Sequence, residues 1–279
     1  MKKVLALLLA VVMIFALAAC GQSAAPAPTP AATEAPSEEP AAEAPAEEAP
    51  AEEAEPAEAT EVEVMSYADY VAADLDTEVT VETYVQDKQG WWNDQATFYT
   101  QNEDGAFFLY NMPCSQEEYD ALVPGTKIRV TGYKSEWSGE VEIIDISSFE
   151  VIEGDTFVAG PVTLDSIYGT DQLADFMNQR FSLSDVTIVA KTDESTGEEL
   201  AFFYDWDNSG AEKQDADLYF DGSVNGETFT FVVEYYLRGE DSDVYQTVKN
   251  LKVGDVIDLE GFLYWYNGPQ PHITAVTVK

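Results

Sequence analysis

The sequence predicts an all-β fold in which two related five-stranded barrels, each with one short helix, follow a disordered linker. Three observations lead to this prediction. A segment of the chain recurs further on with its glycines and apolar residues in matching positions. Each copy contains five stretches in which apolar and polar residues alternate, as is typical of half-buried strands. The stretch before the first copy is nearly all Ala, Pro, Glu, Ser and Thr and cannot build a core.

The repeat is clearest in the later part of each copy. Residues 122–133 (LVPGTKIRVTGY) and 251–262 (LKVGDVIDLEGF) match at an offset of 129, and Gly139 and Gly268 follow at the same offset. Upstream, the first strands of the two copies match at an offset of 107, as in Val79 and Val186. The two offsets differ by 22 residues, so the second copy carries that many extra residues in its middle.

The first copy, residues 65–154, reads as three strands, a helix and two further strands. Ser115 and Glu118 have the form of a helix capping box, and the helix should end at Pro124. The last strand slips phase at Ile143 and Ile144, which predicts a β-bulge. The predicted strands are 80–86, 96–101, 106–112, 126–133 and 140–151.

The second copy, residues 155–279, repeats this order. Its helix carries Val244, Val248 and Leu251 at helical spacing after a Ser242 cap. The extra residues are placed at about 207–227, as a polar inserted loop between the second and third strands. The predicted strands are 185–191, 200–206, 228–236, 256–264 and 272–278.

Five strands with one helix between the third and fourth is the plan of an OB-fold barrel. The run 254–261 (GDVIDLEG), followed by Tyr266-Asn267-Gly268, resembles the fourth strand of OB-fold modules in secreted bacterial proteins, and residues 125–139 are similar. The resemblance implies tandem OB-like barrels. Another small antiparallel barrel or a sandwich stays open as the alternative.

The amino terminus has the pattern of an export signal. Lys2 and Lys3 precede sixteen uncharged, mostly aliphatic residues, fewer than a membrane-spanning helix needs. Leu17-Ala18-Ala19-Cys20 resembles the lipobox of bacterial lipoproteins. The resemblance implies a signal peptide over 1–19 and acyl chains such as palmitate on Cys20. It also implies a lipid anchor on the extracytoplasmic face of the cell membrane, with a plain secretory signal as the alternative. The Ala, Pro and Glu composition of the segment that follows predicts a disordered linker over 20–64.

Charge guides the choice of ligand. The chain has 53 Asp and Glu against 13 Lys and Arg. The excess is even, with 18 acids against 4 bases in the first copy and 23 against 7 in the second. Because affinity for phosphates comes largely from Lys and Arg, we expect nucleic acid to be disfavoured and a carbohydrate or a protein to be the ligand. A structural or accessory envelope protein is the alternative, with a hydrolase or a nucleic-acid binder as weaker ones.

OB-folds bind their ligands on strands two and three, between the loops that join strands 1–2 and 4–5. Aromatic side chains at these places are candidate ligand contacts, with the alternative that most of the rings belong to the cores. The candidates are Trp91, Trp92, Tyr99, Tyr110, Trp137, Tyr264, Trp265 and Tyr266.

The sequence offers little support for catalysis or for a cofactor. His272 is the single histidine, and no nucleophile elbow, metal-spaced Cys or His cluster or phosphate loop is present. We therefore expect a protein that is not an enzyme. Asp205, Asp207 and Ser209 match the opening of an EF-hand loop, but Ala216 stands where the bidentate Glu belongs. The loop could therefore hold calcium, and the alternative is an acidic loop that is simply solvated.

Overall fold

The computed structural model describes residues 63–210 and 215–279. The predicted signal peptide, the lipobox with Cys20 and nearly all of the predicted linker lie outside these residues. Within them, none of the helices has the length and apolar character to cross a membrane.

The first barrel has two helices and five strands. The helices are α1 (Tyr67–Ala72) and α2 (Gln116–Ala121). The strands are β1 (Glu78–Lys88), β2 (Gln95–Gln101), β3 (Ala106–Pro113), β4 (Lys127–Trp137) and β5 (Glu140–Val151). They close in the order β1-β2-β3-β5-β4, with β3 and β5 parallel. This is the OB-fold order, so the predicted fold class is confirmed.

The second barrel repeats this plan with additional short elements. Its helices are a 3₁₀ helix (Asp171–Phe176) and α3 (Asp243–Val248). Its strands are β6 (Val162–Thr163), β7 (Arg180–Val189), β8 (Lys191–Thr192), β9 (Glu199–Leu200), β10 (Phe203–Tyr204), β11 (Leu218–Val224), β12 (Glu227–Val233), β13 (Val256–Phe262) and β14 (His272–Val278). The barrel is formed by β7, β11, β12, β14 and β13, and pairing of β11 with β7 closes it.

Two local predictions are confirmed in the first barrel. The Ser115 side chain accepts a hydrogen bond from the Glu118 amide, and the Glu118 carboxylate accepts one from the Ser115 amide at 2.7 Å. Thr131 pairs with Ser148 but Tyr133 pairs with Ile144, so β5 carries extra residues directly after the predicted bulge. Asp145 within this bulge has a φ of 46°, the left-handed conformation that Asp and Asn tolerate best among non-glycine residues.

The position of the inserted segment is corrected by the structure. The prediction of a strand over 200–206 and a loop over 207–227 is wrong, because the second strand is β11, inside the predicted loop. The partly exposed side of β11 includes Asp221, which forms an ion pair with Lys191 at 2.9 Å. This acidic residue gives the segment the composition of a loop, so the sequence did not predict a strand. Asn225 and Gly226 both have positive φ and form the tight turn to β12. The extra residues therefore lie between the first and second strands of the second barrel.

Each barrel has its own apolar core. In the first, the fully buried side chains include Phe98, Phe107 and Ile128, and in the second they include Phe220 and Phe231. Burial of each such side chain contributes about 1.5–3 kcal/mol. Alternation along the strands thus places the large apolar residues inside, as the sequence predicts.

A third apolar cluster joins the two barrels. Tyr99 and Phe108 of the first barrel pack against Leu237 and Phe262 of the second. The Tyr99 ring stacks on Phe262 at 4.5 Å, and its hydroxyl is hydrogen-bonded to Nδ1 of His272 at 2.5 Å. The second barrel therefore covers part of the face formed by β2 and β3.

Candidate functional site

The uncovered part of that face is a groove on the first barrel. It consists of two adjoining cavities of about 360 Å³ and 690 Å³, which share Gln95, Tyr110 and Asn111. We call it the aromatic groove, because Trp92 lines the first cavity, Trp137 lines the second and Tyr110 lies between them. Both volumes fall within the range of small-ligand sites, about 300–1,000 Å³.

Tight turns hold the two tryptophans out of the core. Trp92 precedes Asn93 and Asp94, which both have positive φ, and a bridge from Trp92 to Gln95 closes this turn. Trp137 precedes Ser138 and Gly139, which likewise have positive φ and join β4 to β5. Trp92 is 70% exposed and Trp137 is 60% exposed. Tyr110 lies on β3 and is 45% exposed, which leaves its ring face accessible.

The residues that line the cavity around Trp92, which we call the neutral end, are all uncharged in the part of the chain that the structure describes. The backbone amide of Asn111 donates to the hydroxyl of Thr97 at 3.2 Å, and the Gln89 side chain donates to the Tyr99 hydroxyl at 3.2 Å. Gln95 also lines this cavity. The side-chain amides supply donors and acceptors next to the rings without charge.

Tyr236 of the second barrel completes the neutral end. The amide of Gly90 donates to the carbonyl oxygen of Tyr236 at 2.7 Å, which fixes this segment against the first barrel. The Tyr236 ring is 57% exposed and lines the same cavity as Trp92 and Tyr110. The neutral end thus combines rings from both barrels.

The cavity around Trp137, which we call the acidic end, is lined by Glu136, Glu142 and Asp145. Glu142 is 8% exposed, and its carboxylate makes no hydrogen bond or ion pair with any residue that the structure describes. Burial raises the pKa of Glu142 to about 7. Among the described residues that line either cavity, none is Lys or Arg.

The structure brings together only some of the predicted contact residues. Trp92, Tyr110 and Trp137 line the groove, whereas Tyr266, although 46% exposed, does not. Tyr99 is 1% exposed at the joint between the barrels, so its assignment to a ligand surface is wrong. Docking of the second barrel onto β2 and β3 is the physical reason.

Three other predicted contacts have structural roles. Trp91 is half-buried, and its indole N–H donates to the carbonyl oxygen of Cys114 at 2.9 Å. Tyr264 stacks on His272 with ring centroids 4.2 Å apart. Trp265 packs against the core of the second barrel, and its backbone amide donates to Glu140 at 2.8 Å. None of the three lines the groove in the described part of the chain.

Sequence reasoning missed Tyr236, Gln95 and Asn111. Tyr236 follows the third strand of the second copy, a place that no rule for a single barrel connects with the first. Gln95 and Asn111 lie on strands two and three and follow the same OB-fold rule that selected Tyr110. A search of those strands for amides as well as rings would have found them.

The acidic loop that begins at Asp205 uses its polar groups internally. The Asp207 carboxylate accepts from the Ser209 amide at 3.0 Å, and Asn208 donates to Asp193 at 2.8 Å. Within 63–210 and 215–279, no group of three or more His, Cys, Asp or Glu side chains is placed to hold a metal ion. Calcium binding by Asp205, Asp207 and Ser209 stays a prediction.

Comparisons with known proteins find similarity to solved structures, but no matching family model or curated protein. Among solved structures, the tetrameric HIN2 domain of p202 shares 10% identity at a TM-score of 0.32, covering 74% of this chain and 96% of that one. A murine DNA-binding protein bound to double-stranded DNA shares 12% identity at a TM-score of 0.33, covering 72% of this chain and 94% of that one. The HINa domain of Ifi202 bound to a DNA duplex shares 13% identity at a TM-score of 0.27, covering 74% of this chain and 96% of that one.

These comparisons correct the predicted ligand. The sequence led to a carbohydrate or a protein and disfavoured nucleic acid, whereas solved structures similar to this chain include DNA complexes. That prediction is therefore withdrawn. Its charge argument counted acids over whole copies, but none of the described residues that line the neutral end of the groove is a carboxylate. An average of charge over the chain did not describe the charge of this surface.

Proposed function

We propose that this protein binds single-stranded nucleic acid in the aromatic groove and holds it by its bases. The observation that carries the proposal is the neutral end, where Trp92, Tyr110 and Tyr236 surround uncharged amide side chains. OB-folds bind oligonucleotides on this face, and stacking of a base on an aromatic ring contributes about 1–3 kcal/mol.

The arrangement favours unpaired bases. Every base has two faces that can stack, but they are accessible only where the strand is not in a duplex. Asn and Gln side chains can form paired hydrogen bonds with an adenine edge, and Asn111 and Gln95 lie beside the rings. With no Lys or Arg among the described lining residues, the phosphates would face solvent.

Replacement of Trp92 by alanine tests this function. We expect the Trp92→Ala protein to bind a fluorescently labelled mixed-sequence DNA single strand at least ~10-fold more weakly, because a stacking platform is lost. Fluorescence anisotropy titration of the full chain measures the change. Trp206→Ala is the matched control, since Trp206 is 73% exposed but does not line the groove. Absence of binding by the unaltered protein would refute the proposal.

Salt dependence in the same titration separates stacking from phosphate binding. Proteins that neutralise phosphates lose affinity steeply as salt rises. Here the chain carries a formal net charge of −40, so screening should weaken repulsion between protein and strand. We expect affinity to hold or rise between about 0.05 M and 0.5 M NaCl. A steep fall would show that phosphate contacts dominate.

The proposal describes a binding protein and not an enzyme. His272 is buried and hydrogen-bonded to Tyr99, and burial lowers the pKa of its imidazole to about 3. A histidine in this state is a poor general base near neutral pH and supports a structural role.

Attachment to a membrane through Cys20 is a second part of the proposal. It is supported by the lipobox resemblance of Leu17-Ala18-Ala19-Cys20. Two acyl chains on one cysteine give stable anchoring, whereas a single chain gives marginal binding. Incorporation of labelled palmitate that is lost in Cys20→Ser would test the anchor, and equal labelling of both proteins would refute it.

A further inference from the structure

We infer that the acidic end of the groove selects cytosine and adenine, which carry an amino group at C4 and at C6, over thymine and uracil, which carry an oxygen at C4; the inference rests on the proposed function. Three carboxylates line the same cavity as Trp137, and the described lining residues include no cation to neutralise them. A base stacked on Trp137 or Tyr110 would place its edge among hydrogen-bond acceptors.

The chemistry of the base edges gives the direction of the preference. An ionised carboxylate only accepts hydrogen bonds, and Glu and Asp accept from the N4 amino group of cytosine. Adenine presents the N6 amino group in the same way. Thymine presents the O4 acceptor instead, and uracil has the same oxygen, so that edge would face carboxylates with like partial charge.

Glu142 is the main determinant because it is both buried and unpartnered. Its side chain lines the cavity, is 8% exposed and makes no hydrogen bond among the described residues. Because the side chain is mostly covered while it lines the cavity, a ligand that supplies a donor there can bond to its carboxylate. Cytosine and adenine supply such a donor through their amino groups.

Protonation of Glu142 weakens the preference without reversing it. Burial raises the pKa of Glu142 to about 7, so both forms are populated near neutral pH. The protonated carboxyl group donates through its O–H and accepts through its carbonyl oxygen. These two groups match the ring nitrogen and amino group of cytosine or adenine, but they also match the O4 and N3–H groups of thymine, so the discrimination comes from the ionised form.

Homopolymeric single strands test this inference directly. The full chain is titrated with labelled oligo-dC, oligo-dA and oligo-dT at neutral pH. We expect oligo-dC and oligo-dA to bind about 10-fold more tightly than oligo-dT, the discrimination of one good base contact. Glu142→Gln should reduce this ratio. Asp145→Asn should also reduce it, and Asn tolerates the φ of 46° at that position, so the bulge is kept.

The outcomes distinguish this inference from the proposed function. Glu103→Gln, an exposed carboxylate in the β2–β3 turn, is the matched control and should leave the ratio unchanged. Equal binding of the three strands, a preference for oligo-dT, or a ratio that survives both groove variants would overturn the inference alone. Failure of every strand to bind would overturn the proposed function and the inference together.

Discussion

Glu140→Gln is expected to stabilise the protein above pH 8 by on the order of 5 kcal/mol more than it does at pH 4.5. Glu140 is completely buried at the joint between the barrels. Burial raises the pKa of its carboxyl group from 4.5 to about 8, and the nearby Glu142 adds to the rise. That rise in pKa corresponds to the free energy given above.

The direction follows from which state releases its proton first. Below pH 4.5 both the folded and the unfolded chain keep Glu140 protonated, so its ionisation does not lower the free energy of unfolding. Between pH 4.5 and about 8 only the unfolded chain releases the proton, so stability falls as pH rises. Above about pH 8 both states are ionised and the loss is complete. Glutamine has no proton to release, so the variant lacks this loss.

The surroundings of Glu140 suit a neutral side chain. One carboxyl oxygen accepts from the Trp265 amide at 2.8 Å. Its other oxygen and Oδ1 of Asn178 are both buried and find no hydrogen-bond partner among the described residues. A protonated carboxyl group supplies a donor there, and so does the glutamine amide.

Urea unfolding at pH 4.5 and pH 9 measures the effect. Glu78→Gln is the control, because Glu78 is an exposed carboxylate on β1. It should leave the pH dependence of the unaltered protein in place. Parallel pH profiles for Glu140→Gln and the unaltered protein would show that Glu140 is not neutral in the fold.

Gly261→Ala is expected to destabilise the second barrel by about 3 kcal/mol. A Cβ atom at Gly261 would lie 2.3 Å from the carbonyl oxygen of His272 on the neighbouring strand. Backbone cannot move aside as a flexible side chain can, so β13 and β14 would have to separate. His272 also anchors Tyr99 at the joint, so the strain would extend to the contact between the barrels.

Thermal unfolding should show a Tm lower by on the order of 10 °C. Gly160→Ala is the matched control, because a Cβ atom there meets nothing within 4 Å, and it should leave Tm nearly unchanged. At Gly132, the equivalent of Gly261 in the first barrel, the added Cβ would lie 2.8 Å from the Ile144 carbonyl oxygen, so a smaller loss is expected. An unaltered Tm for Gly261→Ala would contradict the close approach of the strands.

The same contact explains why the repeat retains a glycine. In both copies a glycine of the fourth strand lies beside a β-bulge and next to the backbone of the fifth strand. These glycines are Gly132 and Gly261. The offset of 129 residues therefore records a steric requirement of the barrel as well as a similarity of sequence. It is the strongest single indication of the fold that the sequence contains.

Local pattern also led to one error within the fold. In the second copy, residues 218–224 alternate buried and partly exposed positions, but Asp221, Gly222 and Ser223 give the run the composition of a loop. Pairing with β7 and β12 makes this run a strand. Its assignment depends on partners far away in the chain.

Sequence alone determined the repeat, the two barrels, the capping box and the aromatic character of the strand-two and strand-three face, because each appears as a pattern within short runs of residues, and the repeat as two such runs that match. Only the tertiary structure decided which rings a ligand can reach. Docking of the second barrel buries Tyr99 and brings Tyr236 to the groove, while turns leave Trp92 and Trp137 exposed. Both sets of residues look alike in sequence, since exposure depends on which surfaces pack together.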